Sequence, residues 1–91
     1  MQGGRTPTRD QVRERVAQLL HEIARIPKEQ IVDGATLDQD LKMESVVIIE
    51  IQVALEDEYD IELDPIEIVE LNEFTAIANH IYECTAKPTG R

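Results

Sequence analysis

Apolar residues recur at helical spacing in the first third of the chain, at Val12, Val16, Leu19, Leu20 and Ile23. Thr8-Arg9-Asp10-Gln11 fits a capping box just ahead of them. The pattern predicts a helix from Arg9 to Arg25, stopped by Pro27 because proline pushes Ile26 out of the helical region. A long connection follows, from Lys28 to Glu44. Asp33-Gly34 marks a turn within it, and Ile31, Leu37 and Leu41 are spaced to pin it to a core. From Ser45 to Tyr59 the pattern is mixed. Val46-Val47-Ile48-Ile49 is β-branched and Ile49, Ile51 and Val53 alternate with polar residues, as in a strand. Yet Ile48, Ile51, Leu55 and Tyr59 form a helical stripe, no turn signal interrupts the run, and its length exceeds an ordinary strand. Helix is the assignment. Asp60 to Leu63 reads as a short extended link, and Asp64-Pro65 as the cap and first turn of a short helix reaching Glu70. Asn72 is the expected cap of a last helix whose apolar face is Phe74, Ile77, Ala78 and Ile81. The fold class is all-α: a small bundle of three main helices and one short helix, with the long loop between the first and second. Residues 8–85 form the domain, and 1–7 and 86–91 are expected to be tails.

The helix from Ser45 has too much apolar surface for one core. At about 100° per residue, Ile48, Ile51, Leu55 and Tyr59 cluster on one side, while Val46, Ile49 and Val53 cluster nearly opposite. The first stripe, with the leucine and the aromatic ring, is assigned to the core. The second is then exposed beside acidic residues, which suits a docking surface. The alternative is that Leu37 or Leu41 of the long loop folds over it.

The net charge of the chain is −10, which excludes nucleic acid as a natural partner and favours partners with a basic patch. A single cysteine, Cys84, makes no internal disulfide and fits a reducing compartment. No apolar run reaches membrane-spanning length and no signal-peptide core is present. The expectation is a cytoplasmic monomer without a membrane span.

Candidate chemistry is sparse. His21 and His80 lie far apart, inside helices, without a second ligand at metal spacing. Cys84 follows the apolar face of the last helix with no evident basic neighbour, as a half-buried inert thiol does. Asp33, Asp38, Asp40 and Glu44 make an acidic loop, but Gly34 falls too early for a calcium loop and Ala35 and Leu37 occupy ligand positions. No phosphate-binding glycine loop, nucleophile elbow or catalytic carboxylate pair can be assembled, so no enzyme is expected. Ser45 remains. At the head of a helix its hydroxyl can cap the free amides, or it can be a chemical handle where helix potential suits a phosphate. Spacing leaves both open.

With these residues in place, the chain resembles the acyl carrier protein family. That family has the pattern Leu-Gly-x-Asp-Ser-Leu at the start of its second helix, and here it stands as Leu41-Lys42-Met43-Glu44-Ser45-Val46. Glu50, Ala54-Leu55-Glu56, Tyr59, Ile61, Leu63 and the stretch Phe74 to Ile81 continue the likeness, which spans Val12 to Ile81. Lys42 stands in place of the glycine, Glu44 in place of the aspartate and Val46 in place of the leucine. The resemblance implies that Ser45 carries 4′-phosphopantetheine, transferred from coenzyme A by a phosphopantetheinyl transferase, and that acyl groups ride on this arm as thioesters. It implies partners among acyl-transferring and chain-modifying synthase enzymes of fatty-acid or polyketide-type biosynthesis. Their expected contacts are Glu44, Val46, Ile49, Glu50, Val53, Glu56 and Asp57. The alternatives are a peptidyl or aminoacyl carrier of a non-ribosomal pathway, and an unmodified acidic interaction module in which Ser45 is a cap.

Overall fold

Thr8 opens the first helix, α1 (Arg9–Ile23), through the expected capping box. Its hydroxyl accepts from the Gln11 N–H at 3.1 Å, and its own N–H donates to Gln11 Oε1 at 2.9 Å. The computed structural model describes residues 7–86, so the expected tails at 1–7 and 86–91 lie almost wholly outside the described residues. α1 ends two residues before the predicted Arg25. Arg25 adopts φ 61°, a left-handed conformation that cannot continue a right-handed helix, so the stop precedes Pro27 and does not depend on it. His21 secures the exit: its Nδ1 lies 2.8 Å from the Ile26 carbonyl, which can only accept, so Nδ1 carries the proton.

The long loop begins with a single 3-10 turn, Lys28–Gln30, which the apolar pattern does not foretell. Gly34 follows at φ 87°, where a side chain would be strained, and completes the expected Asp33-Gly34 turn. Ile31, Leu37 and Leu41 are all buried, together with Ala35. The loop is also tied to the far end of the bundle. Leu37 N–H donates to the Asn72 carbonyl and Phe74 N–H to the Ala35 carbonyl, both at 2.8 Å.

α2 (Ser45–Tyr59) has the predicted bounds and is closed by Asp60 at φ 56°. α3 (Pro65–Leu71) starts as predicted, with the Asp64 carboxylate accepting from the Ile66 N–H at 3.0 Å. The role of Asn72 is corrected. It ends α3 in the left-handed conformation, φ 59°, instead of capping α4 (Phe74–Ala86). Asparagine tolerates that conformation better than most residues. Its side chain donates back to Asp38 at 3.1 Å, holding the loop against the α3–α4 corner.

α1 packs mainly on α4 and also on α2, and α3 touches both α2 and α4. Val12, Leu55, Phe74 and Ile81 meet at the centre, each at most 1% exposed. No described helix is long and apolar enough to cross a membrane.

Two loop carboxylates titrate low. The side-chain hydrogen bond from Arg13 holds Asp33 below the ordinary aspartate value, and that from Asn72 does the same for Asp38. A carboxylate whose folded pKa is depressed contributes stability above its unfolded pKa, about 3.9, and loses it as pH falls through the folded value. The contribution of both groups is therefore nearly complete at about pH 5, begins to fall near pH 4 and is lost as pH drops through the lowered folded values. The expected result is that Asp33→Asn with Asp38→Asn flattens the fall in melting temperature over that acid range. An unchanged acid profile in the double variant overturns it.

Candidate functional site

The loop delivers α2 along a fixed path. Thr36 N–H donates to the Asp40 carboxylate at 2.8 Å, Leu41 N–H to the Thr36 carbonyl at 2.9 Å, and Met43 N–H to the Leu37 carbonyl at 2.9 Å. Between these anchors Lys42 sits at φ 52°, in the left-handed region. A residue with a Cβ is uncommon there, and this is the position where Lys42 stands in place of a glycine.

Ser45 is the first residue inside α2, and the cap position belongs to Glu44. The Glu44 side chain makes no capping hydrogen bond, while its carbonyl accepts from the N–H groups of Val47 and Ile48 at 3.0 and 3.1 Å. The cap reading of Ser45 is thus corrected. Its backbone is already helical, and an N-cap serine must lie one residue outside to reach the first-turn amides. Among the described residues nothing pairs with the N–H groups of Ser45 and Val46, nor with the exposed Ser45 hydroxyl. Free helix-start amides beside an uncommitted hydroxyl suit an anionic phosphodiester on that oxygen. The residues present are compatible with a 4′-phosphopantetheine arm, which would be held through the Ser45 hydroxyl oxygen.

The two faces of α2 separate as the periodicity demands. Ile48, Ile51 and Leu55 are buried and Tyr59 is half-buried, its phenol pushed up in pKa by that burial. Val46, Ile49 and Val53 remain 58%, 49% and 54% exposed. Leu37 and Leu41 pack into the core without covering them. Glu44, Glu50 and Asp57 are exposed as well. Glu56 differs: it is half-buried, and its carboxylate accepts from the Leu63 N–H at 2.8 Å. The sequence reading missed Ile66 and Val69 on α3, which are 66% and 50% exposed. Their offsets from buried Ile68 were the available signal, since residues one or two apart do not share a helix face. Gln52 was also missed. It is buried, four residues after Ile48 and three before Leu55, a spacing that places it in the core stripe.

Other candidates resolve simply. Asp33 pairs with Arg13, Asp38 with Asn72 and Asp40 with Thr36, and the described residues contain no cluster of three or more His, Cys, Asp or Glu able to hold a metal. Cys84 does have an imidazole neighbour, His80, one turn earlier at 3.9 Å. Burial nevertheless pushes the thiol pKa up, with Glu67 and Glu83 adding to the effect. His80 itself lies 3.7 Å from Glu67.

The described residues form a helical bundle with an exposed serine at the start of its second helix. Two comparisons agree. The family described as "Phosphopantetheine attachment site" matches residues 14–81. The chain is also 35% identical over 77 residues to an acyl carrier protein of Saccharopolyspora erythraea, covering 85% of this chain and 77% of that protein. The chain belongs to the acyl carrier protein family. It is therefore a carrier and not an enzyme, and its cofactor is covalent 4′-phosphopantetheine.

Proposed function

We propose that Ser45 is the attachment residue and that the protein shuttles acyl intermediates between enzymes of fatty-acid or polyketide-type biosynthesis. The observation that carries this reading is the Ser45 hydroxyl, exposed and without a partner among the described residues, beside two unpaired helix-start amides. When bound, the arm supplies a thiol on which acyl groups are held as thioesters. The chain's own residues do the rest. Ser45 would provide the ester oxygen and the amides of Ser45 and Val46 would be available to the phosphate charge, while the loop anchors at Leu41 and Met43 hold the helix start in place.

The partners are a phosphopantetheinyl transferase and synthase enzymes with basic docking patches, met by a monomer in the cytoplasm. Val46, Ile49 and Val53 offer the apolar centre of the docking surface. Glu44, Glu50 and Asp57 offer an acidic rim, with Glu56 at its edge. A net charge of −10 speeds encounter with basic surfaces more than it tightens the complex, which suits a shuttle.

Incubation with coenzyme A, Mg²⁺ and a transferase of broad substrate range tests the assignment by intact mass. The folded protein gains one phosphopantetheine, and Ser45→Ala gains none. No mass change with several active transferases overturns it.

A further inference from the structure

Between Lys28 and Lys87 the chain carries a single Lys or Arg, Lys42, among a large excess of Asp and Glu. It stands three residues before Ser45. Its side chain is exposed, and among the described residues no ion pair commits it. Carboxylates lie two positions to either side, at Asp40 and Glu44. Asp40 is engaged instead by the N–H and the hydroxyl of Thr36, at 2.8 and 3.1 Å. Glu44 is exposed and makes no capping hydrogen bond. The one cation of this acidic stretch is thus left without a partner, close in sequence to the serine.

The backbone gives a second, independent reason to look at this side chain. Lys42 sits at φ 52° between two hydrogen bonds of 2.9 Å, from Leu41 N–H to the Thr36 carbonyl and from Met43 N–H to the Leu37 carbonyl. The conformation is held from both sides, and glycine would adopt it without strain. A side chain kept in a sparsely populated backbone region points to a task for that side chain. Burial is not the task, because Lys42 is exposed. A local ion pair is not the task either. An ammonium on a flexible four-carbon stem is a compact point charge, and phosphate oxygens are a common partner for it. Three residues of chain span at most about 11 Å, so a phosphate on Ser45 lies in the neighbourhood of that stem.

We propose that Lys42 is a contact residue for the arm: its ammonium pairs with the phosphodiester on Ser45 and holds the base of the arm against the loop. The inference rests on the reading of Ser45 as the attachment residue and supplies the counter-ion for it. The phosphodiester adds a fixed negative charge to a region already crowded with carboxylates, and Lys42 offsets that charge where it is added. Lys42 positions the arm and is not catalytic.

The test is ³¹P spectroscopy of the phosphodiester in the loaded protein. The expected resonance is displaced from that of a short phosphopantetheinyl-serine peptide, and added salt moves it towards the peptide value as screening weakens the pair. Lys42→Gly removes the ammonium and relieves the left-handed strain, so the variant folds; it loses most of the displacement and the salt response. Lys42→Arg keeps both. Lys28→Gln, which removes a charge from the groove beside α1, also keeps both. The inference is overturned if Lys42→Gly matches the unaltered protein, if Lys42→Arg behaves as Lys42→Gly does, or if Lys28→Gln has as large an effect. Intact mass separates these results from the reading beneath them. An arm that fails to load, or that loads equally on Ser45→Ala, overturns the Ser45 assignment and the inference with it.

Discussion

Leu55→Ser is expected to remove most of the stability of the domain, while Val53→Ser, two residues away on the same helix, leaves it nearly unchanged. Leu55 is 1% exposed and Val53 is 54% exposed. Truncating a buried leucine costs about 2–5 kcal/mol through lost transfer energy and the cavity left behind. A hydroxyl stranded in that cavity adds roughly 1–3 kcal/mol. Small domains hold only about 5–15 kcal/mol in total, so the change reaches a large part of what exists. Val53→Ser removes little buried area, and valine and serine have similar helix propensities, so its effect stays within about 0.5 kcal/mol. Ile49→Ser, at 49% exposure, behaves alike. A urea titration reads the difference as a shift in midpoint. Equal shifts for Val53→Ser and Leu55→Ser overturn the two-face assignment. On the proposed function, Ile49→Ser and Val53→Ser slow acyl transfer with partner enzymes while the fold persists.

The legible parts of the chain were those where spacing alone decides. The stripes of α1 and α4 have one helical solution each, and in α2 the β-branched run Val46 to Ile49 is outweighed by the stripe Ile48, Ile51, Leu55 and Tyr59, by a length beyond an ordinary strand and by the lack of a turn signal. The loop anchors Ile31, Leu37 and Leu41 are legible as spaced apolar residues in a mostly polar stretch, although nothing in the spacing tells buried Ile31 from exposed Val32 beside it. What escaped was settled by backbone conformation and distant partners. Ser45 and Glu44 both qualify as helix-start residues, and only the chain path through Lys42, at φ 52°, puts Glu44 at the cap. A left-handed lysine costs roughly 1 kcal/mol, which the buried neighbours Leu41 and Leu37 must offset. Asn72 suits the start of one helix and the end of another equally well, and its bond to Asp38, 34 positions away, decided the matter. Gln52 has the spacing of the core stripe, but a polar side chain there needs a partner that spacing does not show. Its burial depends on the Leu63 carbonyl, which enters the core from the link after α2 and gives the amide a partner.

The same link gives Glu56 a structural task that its charge alone does not suggest. Its backbone carbonyl accepts from Ile61 N–H at 3.3 Å, and its carboxylate accepts from Leu63 N–H at 2.8 Å and from Gln52 Nε2 at 3.3 Å. Leu63 is 8% exposed, so its N–H has little access to water if the carboxylate is removed. Glu56→Ala is expected to cost about 1.5–3 kcal/mol, the range for hydrogen bonds to charged groups, less a few tenths returned by the higher helix propensity of alanine. Glu56→Gln keeps an acceptor for Leu63 and loses the charge, so its cost falls below about 1 kcal/mol. Asp57→Asn, on an exposed neighbour, stays within about 0.5 kcal/mol. Urea midpoints order the variants Asp57→Asn, Glu56→Gln, Glu56→Ala from most to least stable. On the proposed function, Glu56→Gln and Asp57→Asn each slow association with a basic partner at low salt, and the difference fades as salt screens the field over about 8–10 Å. If Glu56→Ala unfolds at the same urea concentration as Asp57→Asn, the Leu63 hydrogen bond carries no stability and Glu56 belongs with the solvated docking acids.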